Sequence, residues 1–143
     1  MPKVSVYLNF AGNTEEAFEF YKSVLGGEFS AVVRFKDMPM EGVDIPEADR
    51  DKLAHIGLPL GDDQHLMGTD SLASLGQELH QGNNVYISLH PDSREEADRL
   101  FNALSAGGTV EMPIDDQPWG DYYGSFTDKF GVHWMVNHGQ QTS

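Results

Sequence analysis

The chain has 143 residues, 39% of them hydrophobic, which suffices for one compact domain but not for two ordinary ones. Its formal net charge of -14 would repel nucleic-acid phosphates, and the lack of a signal peptide or an apolar run of about 18 residues predicts a cytoplasmic protein with no membrane partner. The absence of cysteine excludes disulfides, thiolate metal ligands and a cysteine nucleophile.

The first predicted elements are a strand, a helix and a second strand. Val4 to Phe10 is rich in β-forming residues, and Phe29 to Phe35 is apolar and β-branched. Between these strands, Asn13 and Glu16 have the spacing of a capping box, which predicts the start of a helix. The helix would bury a stripe with helical spacing, formed by Ala17, Phe20, Tyr21 and Val24.

A long loop and two more strands are predicted next. Residues 36–51 are rich in proline and acidic residues and have no sustained period, which is typical of a loop that acts as a lid or contacts a partner. Leu53 to Leu60 and Gln64 to Gly68 are predicted strands, joined by a hairpin turn at Gly61-Asp62-Asp63. The order so far is βαβββ, and the polar residues 71–83 are predicted to form a linker.

The second half repeats this order. Ser93 and Glu96 match Asn13 and Glu16 at a distance of eighty residues, and a second buried stripe follows at Ala97, Leu100, Phe101 and Leu104. The predicted strands are Val85 to Leu89, Thr109 to Met112, Tyr122 to Phe126 and Val132 to Val136, with an interruption from Pro113 to Trp119. We therefore expect an α+β fold, a single domain over residues 1–143 with two tandem βαβββ modules at 4–70 and 84–138. Each helix would cover one face of its sheet and leave the other face open.

Aromatic residues, glycines and carboxylates interleave in the second module, over residues 115–124 and 128–138. This composition suits a small-molecule pocket, in which flat apolar walls and a few polar groups hold a ligand. Strand alternation requires either Trp134 and Val136 or their neighbours to pack as core, and Trp134 is the predicted core residue. The candidate ligand-binding residues are Trp119, Tyr122, Tyr123, His133, Met135 and Asn137.

Several stretches are similar to a known family. The segments Tyr7 to Asn13, Ala54-His55, Trp119-Gly120 and Asp128 to Asn137 resemble the PhnB-like (YjdN-like) proteins of the glyoxalase, bleomycin-resistance and extradiol-dioxygenase superfamily. The resemblance runs collinearly from Val4 to Asn137. It implies paired βαβββ modules whose curved mixed sheets form a cup, commonly completed by a dimer partner, with the ligand or metal inside.

The resemblance also marks where a metal would bind. Metal-dependent members carry a glutamate on the final strand and often His or Gln on the first strand of a module, and these positions fall on Met135 and near Val6. A thioether prefers soft ions and valine has no donor atom, so neither residue suits a hard divalent metal. We therefore expect no usual metal set and no cofactor, while a divalent metal at a shifted site stays open.

His55 is the candidate catalytic residue, because it matches a histidine of similar PhnB-like proteins. Alternation on the predicted strand places His55 with Leu53 and Gly57 on the open face, and Ala54, Ile56 and Leu58 under the helix. An imidazole there could act as a general base or hold a shifted metal. It could equally be satisfied by a neighbouring strand or by a subunit interface.

Three functions stay open from the sequence. The leading hypothesis is a homodimer that binds a small organic molecule in its cup without a metal. The first alternative is a lyase or isomerase that uses His55 with Asp121 or Glu111 as acid and base. The second is a protein-interaction module that contacts another chain through the 36–51 loop. Motifs for nucleotide-dependent transfer and for triad hydrolysis are missing from the sequence.

Overall fold

The computed structural model describes residues 2–38, 42, 44–61 and 63–139, and within them the chain forms two compact units. The first unit ends at His80 and the second begins at Gln81, inside the predicted linker. The first contains strands β1 (Val6–Phe10), β2 (Ala31–Arg34), β3 (Leu53–Pro59) and β4 (His65–Asp70) with helix α1 (Thr14–Leu25). The second contains β5 (Ile87–Leu89), β6 (Thr109–Asp116), β7 (Tyr122–Thr127) and β8 (His133–His138) with helix α2 (Arg94–Ser105).

The two sheets have the same topology. Their strand orders are β1-β4-β3-β2 and β5-β8-β7-β6. In each sheet the first and last strands of the module pair in parallel, and the other neighbours are antiparallel. Helix α1 packs on β3 and β4, and α2 packs on β6, β7 and β8. This confirms the α+β class and the tandem βαβββ modules predicted from the sequence.

The buried stripe of α1 differs by one residue from the prediction. Ala17, Tyr21 and Val24 are buried as expected, but Phe18 is fully buried and Phe20 is only half-buried. Phe18 fits because Gly68 has no side chain: a Cβ at Gly68 would lie 2.6 Å from Phe18 Cε1. Phe18 is therefore buried in the core because α1 lies close to β4 at Gly68.

The two helices begin differently, although the sequence predicts the same cap for both. Ser93 Oγ accepts the Glu96 backbone N–H at 3.1 Å, as expected for α2. The predicted cap of α1 is wrong, since the Asn13 side chain makes no capping hydrogen bond. The buried carboxylate of Asp70 takes its place: Oδ1 accepts the Thr14 backbone N–H at 3.1 Å and the Thr14 hydroxyl at 2.7 Å.

A bulge in β3 changes the predicted faces of that strand. Val33 pairs with His55 and Arg34 with Leu53, so Ala54 is the extra residue. Leu53 is 1% exposed instead of sharing an open face with His55, and its backbone N–H donates to Asp70 at 2.8 Å. Ala54 packs against the Phe35, Ile45 and Leu72 cluster, not under α1. Beyond the bulge, Ile56 and Leu58 are buried as predicted.

The predicted 36–51 loop is partly packed in the first unit. Phe35–Asp37 and Glu47–Asp49 form short 3₁₀ helices. The Asp49 carboxylate accepts the Ser74 hydroxyl at 2.6 Å and pairs with Lys52 Nζ at 2.7 Å. Residues 39–41 and 43 of the loop, and residue 62 of the predicted hairpin turn, lie outside the described residues.

The start of the predicted linker also packs in the first unit. Leu72 is 1% exposed and belongs to the cluster with Phe35 and Ile45. Ala73–Leu75 forms a third 3₁₀ helix, and Leu75 packs against the same cluster. The first unit is therefore completed by residues beyond its last strand.

Strand β6 is longer than predicted. It runs through Pro113 to Asp116, with register shifts between Val110 and Met112 and between Met112 and Asp115. Proline is tolerated because β6 lies at an edge of the sheet, where a missing backbone donor leaves no neighbouring strand unpaired. The predicted interruption from Pro113 is therefore wrong for its first four residues.

The core of the second unit lies between α2 and its sheet. The predicted stripe Ala97, Leu100, Phe101 and Leu104 is buried throughout. Trp134 is 0% exposed, and its indole N–H donates to Asp128 Oδ2 at 2.8 Å, which confirms it as a core residue. Among the residues that the structure describes, no helix has the length and apolar composition needed to cross a bilayer.

Candidate functional site

Four of the predicted ligand-binding residues share one face of the second sheet. The cross-strand pairs Tyr123 with Asn137, Ser125 with Met135 and Thr127 with His133 alternate with pairs that pack under α2. The covered pairs include Phe126 with Trp134, both 0% exposed. We call the opposite side, which carries Tyr123, His133, Met135 and Asn137, the helix-free face.

Tyr122 does not belong to this face. It pairs with His138 on the side that α2 covers, and its hydroxyl donates to the Asp98 carboxylate of that helix. The Arg94 guanidinium lies 3.9 Å from the centre of its ring. The hydrogen bond to Asp98 and desolvation raise the pKa of Tyr122. Tyr122 therefore lies on the opposite side of the sheet from the other candidates of β7 and β8, because adjacent strand residues point to opposite faces.

Trp119 lies in the turn before β7 and is 59% exposed. Its indole N–H donates to Asp121 Oδ2 at 3.2 Å. Its ring meets Tyr123 edge to face, with the ring centres 6.1 Å apart. Trp119 therefore extends the aromatic surface of Tyr123 beyond the end of the strand.

His133 is held in one orientation by two hydrogen bonds. Its Nε2 lies 2.9 Å from the Gly82 carbonyl, which can only accept, so Nε2 carries the hydrogen. In the neutral ring Nδ1 then accepts the hydrogen bond from the Thr127 hydroxyl, 2.8 Å away. The His133 ring also lies 5.1 Å from the ring of Tyr86.

Tyr86 and Thr127 also belong to this face, although no sequence pattern above predicted them as site residues. The Tyr86 hydroxyl donates to Glu111 Oε1 at 2.9 Å, and this bond, with desolvation, raises the pKa of Tyr86. Thr127 could have been predicted, because strand alternation places it on the same face of β7 as Tyr123. Tyr86 precedes β5, and only the parallel pairing of β5 with β8 brings it beside His133.

At least two cavities border the second sheet among the residues that the structure describes. One of about 420 Å³ adjoins His133 and Thr127, together with Gln81, Gly82, Asn83 and Gly131. The other, of about 350 Å³, lies at the end of β8 and includes Asn137 and Asp121 in its wall. Both volumes are in the range of small-molecule sites.

The candidate catalytic residue His55 belongs to the first unit, where its partner is Tyr7. The Tyr7 hydroxyl lies 3.1 Å from His55 Nδ1, and partial burial raises the pKa of Tyr7. Asp121 and Glu111, the proposed acid or base partners of His55, hydrogen-bond instead to Trp119 and Tyr86. A cavity of about 570 Å³ in the first unit is lined in part by Asn9, Thr69, Ser71 and Gln77.

The metal positions implied by the resemblance do not provide a fitting donor set. On β1, Val6 pairs with the buried Leu66 on the helix-covered side, so the residue that faces the other side is Tyr7. A raised pKa disfavours the phenolate that would bind a metal. On β8 the position is Met135, whose thioether does not suit a hard ion. Within residues 2–38, 42, 44–61 and 63–139, no three His, Asp or Glu side chains are grouped to hold a metal.

Sequence and structure comparisons agree on the relatives of this chain. The family model of the Glyoxalase/Bleomycin resistance protein/Dioxygenase superfamily matches residues 4–136. Protein YjdN of Escherichia coli K12 is 32% identical over 144 residues, which cover 94% of this chain and 93% of YjdN.

Solved structures show the same relationship. The crystal structure of PA1353 from Pseudomonas aeruginosa is 39% identical, with a TM-score of 0.86, and the match covers 99% of this chain and 100% of that one. A PhnB protein from Bacillus cereus is 25% identical, with a TM-score of 0.76, over 96% and 100% of the two chains. The resemblance drawn from the sequence is confirmed: this chain is a homologue of YjdN and belongs to the glyoxalase, bleomycin resistance protein and dioxygenase superfamily.

Proposed function

We propose that the protein binds a small polar organic molecule on the helix-free face of its second sheet, without the usual metal set of the superfamily. The observation that carries the proposal is the strict separation of residues on β7 and β8. Phe126, Trp134 and Val136 fill the core, whereas Tyr123 and His133 lie on the opposite face.

The chemistry of this face suits recognition of such a molecule. Tyr123 and Trp119 supply aromatic surface, and Met135 supplies an adaptable apolar side chain. His133 and Tyr86 are fixed by hydrogen bonds to Gly82 and to Glu111. Polar groups whose orientation is fixed before binding lower the entropy cost of holding a ligand.

A titration with three probes of similar size tests this proposal. Phenylacetamide, phenylacetate and 2-phenylethylammonium would be added separately to ¹⁵N-labelled protein in buffer containing EDTA. We expect saturable shifts of backbone amides in β7 and β8 with at least one probe, weakened in Tyr123→Ala and retained in Tyr122→Phe. Shifts confined to residues outside this face, or no saturable shift with any probe, would count against the proposal.

The metal-free part of the proposal has its own test. Zn²⁺, Ni²⁺ and Mn²⁺ would be titrated calorimetrically into the purified protein and into His55→Ala. We expect only weak binding, because Met135 and Tyr7 are poor ligands for these ions. Tight binding of one ion per chain that is lost in His55→Ala would overturn this part and would establish a shifted metal site.

A second candidate function is acid–base catalysis at His55, favoured by its contact with Tyr7. The Tyr7 hydroxyl lies 3.1 Å from His55 Nδ1, a distance at which a proton can pass between a phenol and an imidazole. If a lyase or isomerase reaction is found, Tyr7→Phe and His55→Gln should each lower kcat and alter its pH profile. Full activity in both variants would exclude this role.

We further propose that the protein is a homodimer, which its membership in the superfamily supports, and that it is located in the cytoplasm. Multi-angle light scattering after size exclusion should give twice the mass of one chain, 15.9 kDa. Cell fractionation should recover the protein with cytoplasmic markers. A monomer in solution, or recovery with periplasmic or membrane markers, would refute the respective proposal.

A further inference from the structure

A hydrogen bond joins the two outer strands of the second sheet across its helix-free face. The strand order is β5-β8-β7-β6, so the backbones of β5 and β6 are about 14 Å apart. Tyr86 directly precedes β5 and Glu111 belongs to β6, yet the Tyr86 hydroxyl lies 2.9 Å from Glu111 Oε1. Both side chains must therefore extend over β8 and β7, and we call the pair the Tyr86–Glu111 bridge.

The Tyr86 end of the bridge lies over β8. Ile87 pairs with Trp134, so the preceding Tyr86 lies level with His133, and the rings of Tyr86 and His133 are 5.1 Å apart. His133 is itself held by the Gly82 carbonyl, which lies 2.9 Å from its Nε2. The Tyr86 ring is therefore held at both ends, by a fixed imidazole and by the Glu111 carboxylate.

The Glu111 end of the bridge lies over β7. Glu111 precedes Met112, which pairs with Ser125, so the Glu111 side chain reaches over β7 close to Ser125. At the other end, Tyr86 lies level with His133. The bridge therefore crosses the face obliquely, from the level of His133 to the level of Ser125.

The bridge divides the helix-free face into two parts. On one side, Thr127 and His133 border the cavity of about 420 Å³. On the other side lies the pair of Tyr123 with Asn137, and among the described residues neither of these two lines that cavity. Such a separation is expected when two side chains fill the middle of the face.

We infer that the Tyr86–Glu111 bridge limits the length of the molecule that binds on this face, with Tyr86 as the specificity-determining residue. The inference rests on the proposed function and adds a limit on the size of the ligand. A ligand that packs against Tyr123 meets the Tyr86 ring before it reaches His133. A longer molecule has to leave the face at the bridge, and its extra apolar atoms stay in water.

The test compares phenylacetamide with 6-phenylhexanamide, which has the same end groups and four more methylene groups. Each would be titrated into ¹⁵N-labelled wild-type protein, Glu111→Ala and Tyr86→Ala, with backbone amides as reporters. In the wild-type protein, both probes should shift amides near Tyr123 and leave those of Thr127 and His133 in place. In both variants, the longer probe should also shift the amides of Thr127 and His133.

The affinities should follow the same pattern. In Glu111→Ala and in Tyr86→Ala, the Kd of the longer probe should fall about tenfold relative to that of phenylacetamide, since about two more methylene groups leave water. The same ratio of the two Kd values in the wild-type protein and in Tyr86→Ala would overturn the inference. A wild-type ratio in Glu111→Ala would overturn the part of the bridge in it.

Two further variants separate the bridge from general effects. Glu111→Gln keeps an acceptor oxygen for the Tyr86 hydroxyl and should keep the wild-type length limit. Tyr122→Phe removes another tyrosine–carboxylate hydrogen bond, to Asp98 on the helix-covered side, and should also leave the limit unchanged. A change in Tyr122→Phe as large as that in Glu111→Ala would contradict the inference.

The outcome distinguishes this inference from the proposed function. Shifts of Thr127 and His133 by the longer probe in the wild-type protein would refute the length limit while supporting the small-molecule site. No saturable shift with either probe in the wild-type protein or in the variants would count against both.

Discussion

The Tyr86 hydroxyl donates a 2.9 Å hydrogen bond to the Glu111 carboxylate, and this contact holds Tyr86 beside His133 on the helix-free face. The hydrogen bond to Glu111 stabilises the protonated phenol, and desolvation and the negative charge of Glu111 add to this effect, so the pKa of Tyr86 is raised. In Glu111→Gln the pKa of Tyr86 should fall toward the ordinary value of about 10. Titration of the tyrosine ¹³Cζ signals, assigned with Tyr86→Phe, would measure this change. An unchanged pKa would show that the contact does not persist in solution.

The carboxylate of Asp70 joins the start of α1 to β3. Its Oδ1 accepts hydrogen bonds from Gly12 and Thr14, and its Oδ2 accepts one from Leu53. Asp70→Asn would replace one accepting oxygen by a donor and leave buried N–H groups unpaired. We expect a loss of about 3 kcal/mol in the free energy of unfolding, measured by urea denaturation.

The control for Asp70 is Asp63→Asn. Asp63 pairs with Lys3 at 2.8 Å, but both side chains are largely exposed. Exposed ion pairs contribute little, so this change should cost less than about 1 kcal/mol. Equal costs in the two variants would contradict the special role of Asp70.

Gly124 allows α2 and β6 to approach β7 closely. A Cβ at this position would lie 2.6 Å from Phe101 Cε2 and 2.7 Å from Ile114 Cα. Gly124→Ala should therefore destabilise the protein by about 1–3 kcal/mol through overpacking. Gly82→Ala is the matched control, because the nearest atom would be Asn84 Oδ1 at 3.6 Å and the backbone of Gly82 has no positive φ. Equal thermal stability of the two variants would refute the packing argument.

Asp49 makes the stability of the first unit sensitive to acid. Hydrogen bonds from Lys52 and Ser74 lower the pKa of its carboxyl in the folded state. The ionised Asp49 carboxylate therefore stabilises the folded protein fully above the pKa of about 4 that it has in the unfolded chain. This stabilisation is lost as the pH falls through the lower pKa of the folded state. The Tm difference between the wild-type protein and Asp49→Asn should shrink from pH 6 to pH 3. A difference that is constant across this range would contradict the lowered pKa.

Much of the fold was predictable because local patterns determine it. The stripe of α2, the cap at Ser93 and the core position of Trp134 follow from spacing and alternation alone. The faces of β3 were not predictable, since the bulge at Ala54 depends on the pairing with β2. The cap of α1 was missed for a similar reason: Asp70 is distant in sequence, and the local pattern pointed to Asn13.

The candidate site was predictable only in part. His133, Met135 and Asn137 were correctly grouped by alternation on one strand. The position of Tyr122 on the helix-covered face was not predicted, because composition marks an aromatic segment but not the face of each residue. Tyr86 was missed because its contact with His133 requires β5 to lie beside β8, which no local pattern reveals.

The contrast between the two helix caps has a consequence for the order of folding. The cap of α2 comes from three residues away, so its first turn can form while the rest of the chain is still disordered. The cap of α1 comes from 56 residues away and requires that β4 already be in place. Contacts between distant residues form slowly because a long loop must first close. We therefore expect α2 to form before α1 during folding, although the two modules share one architecture.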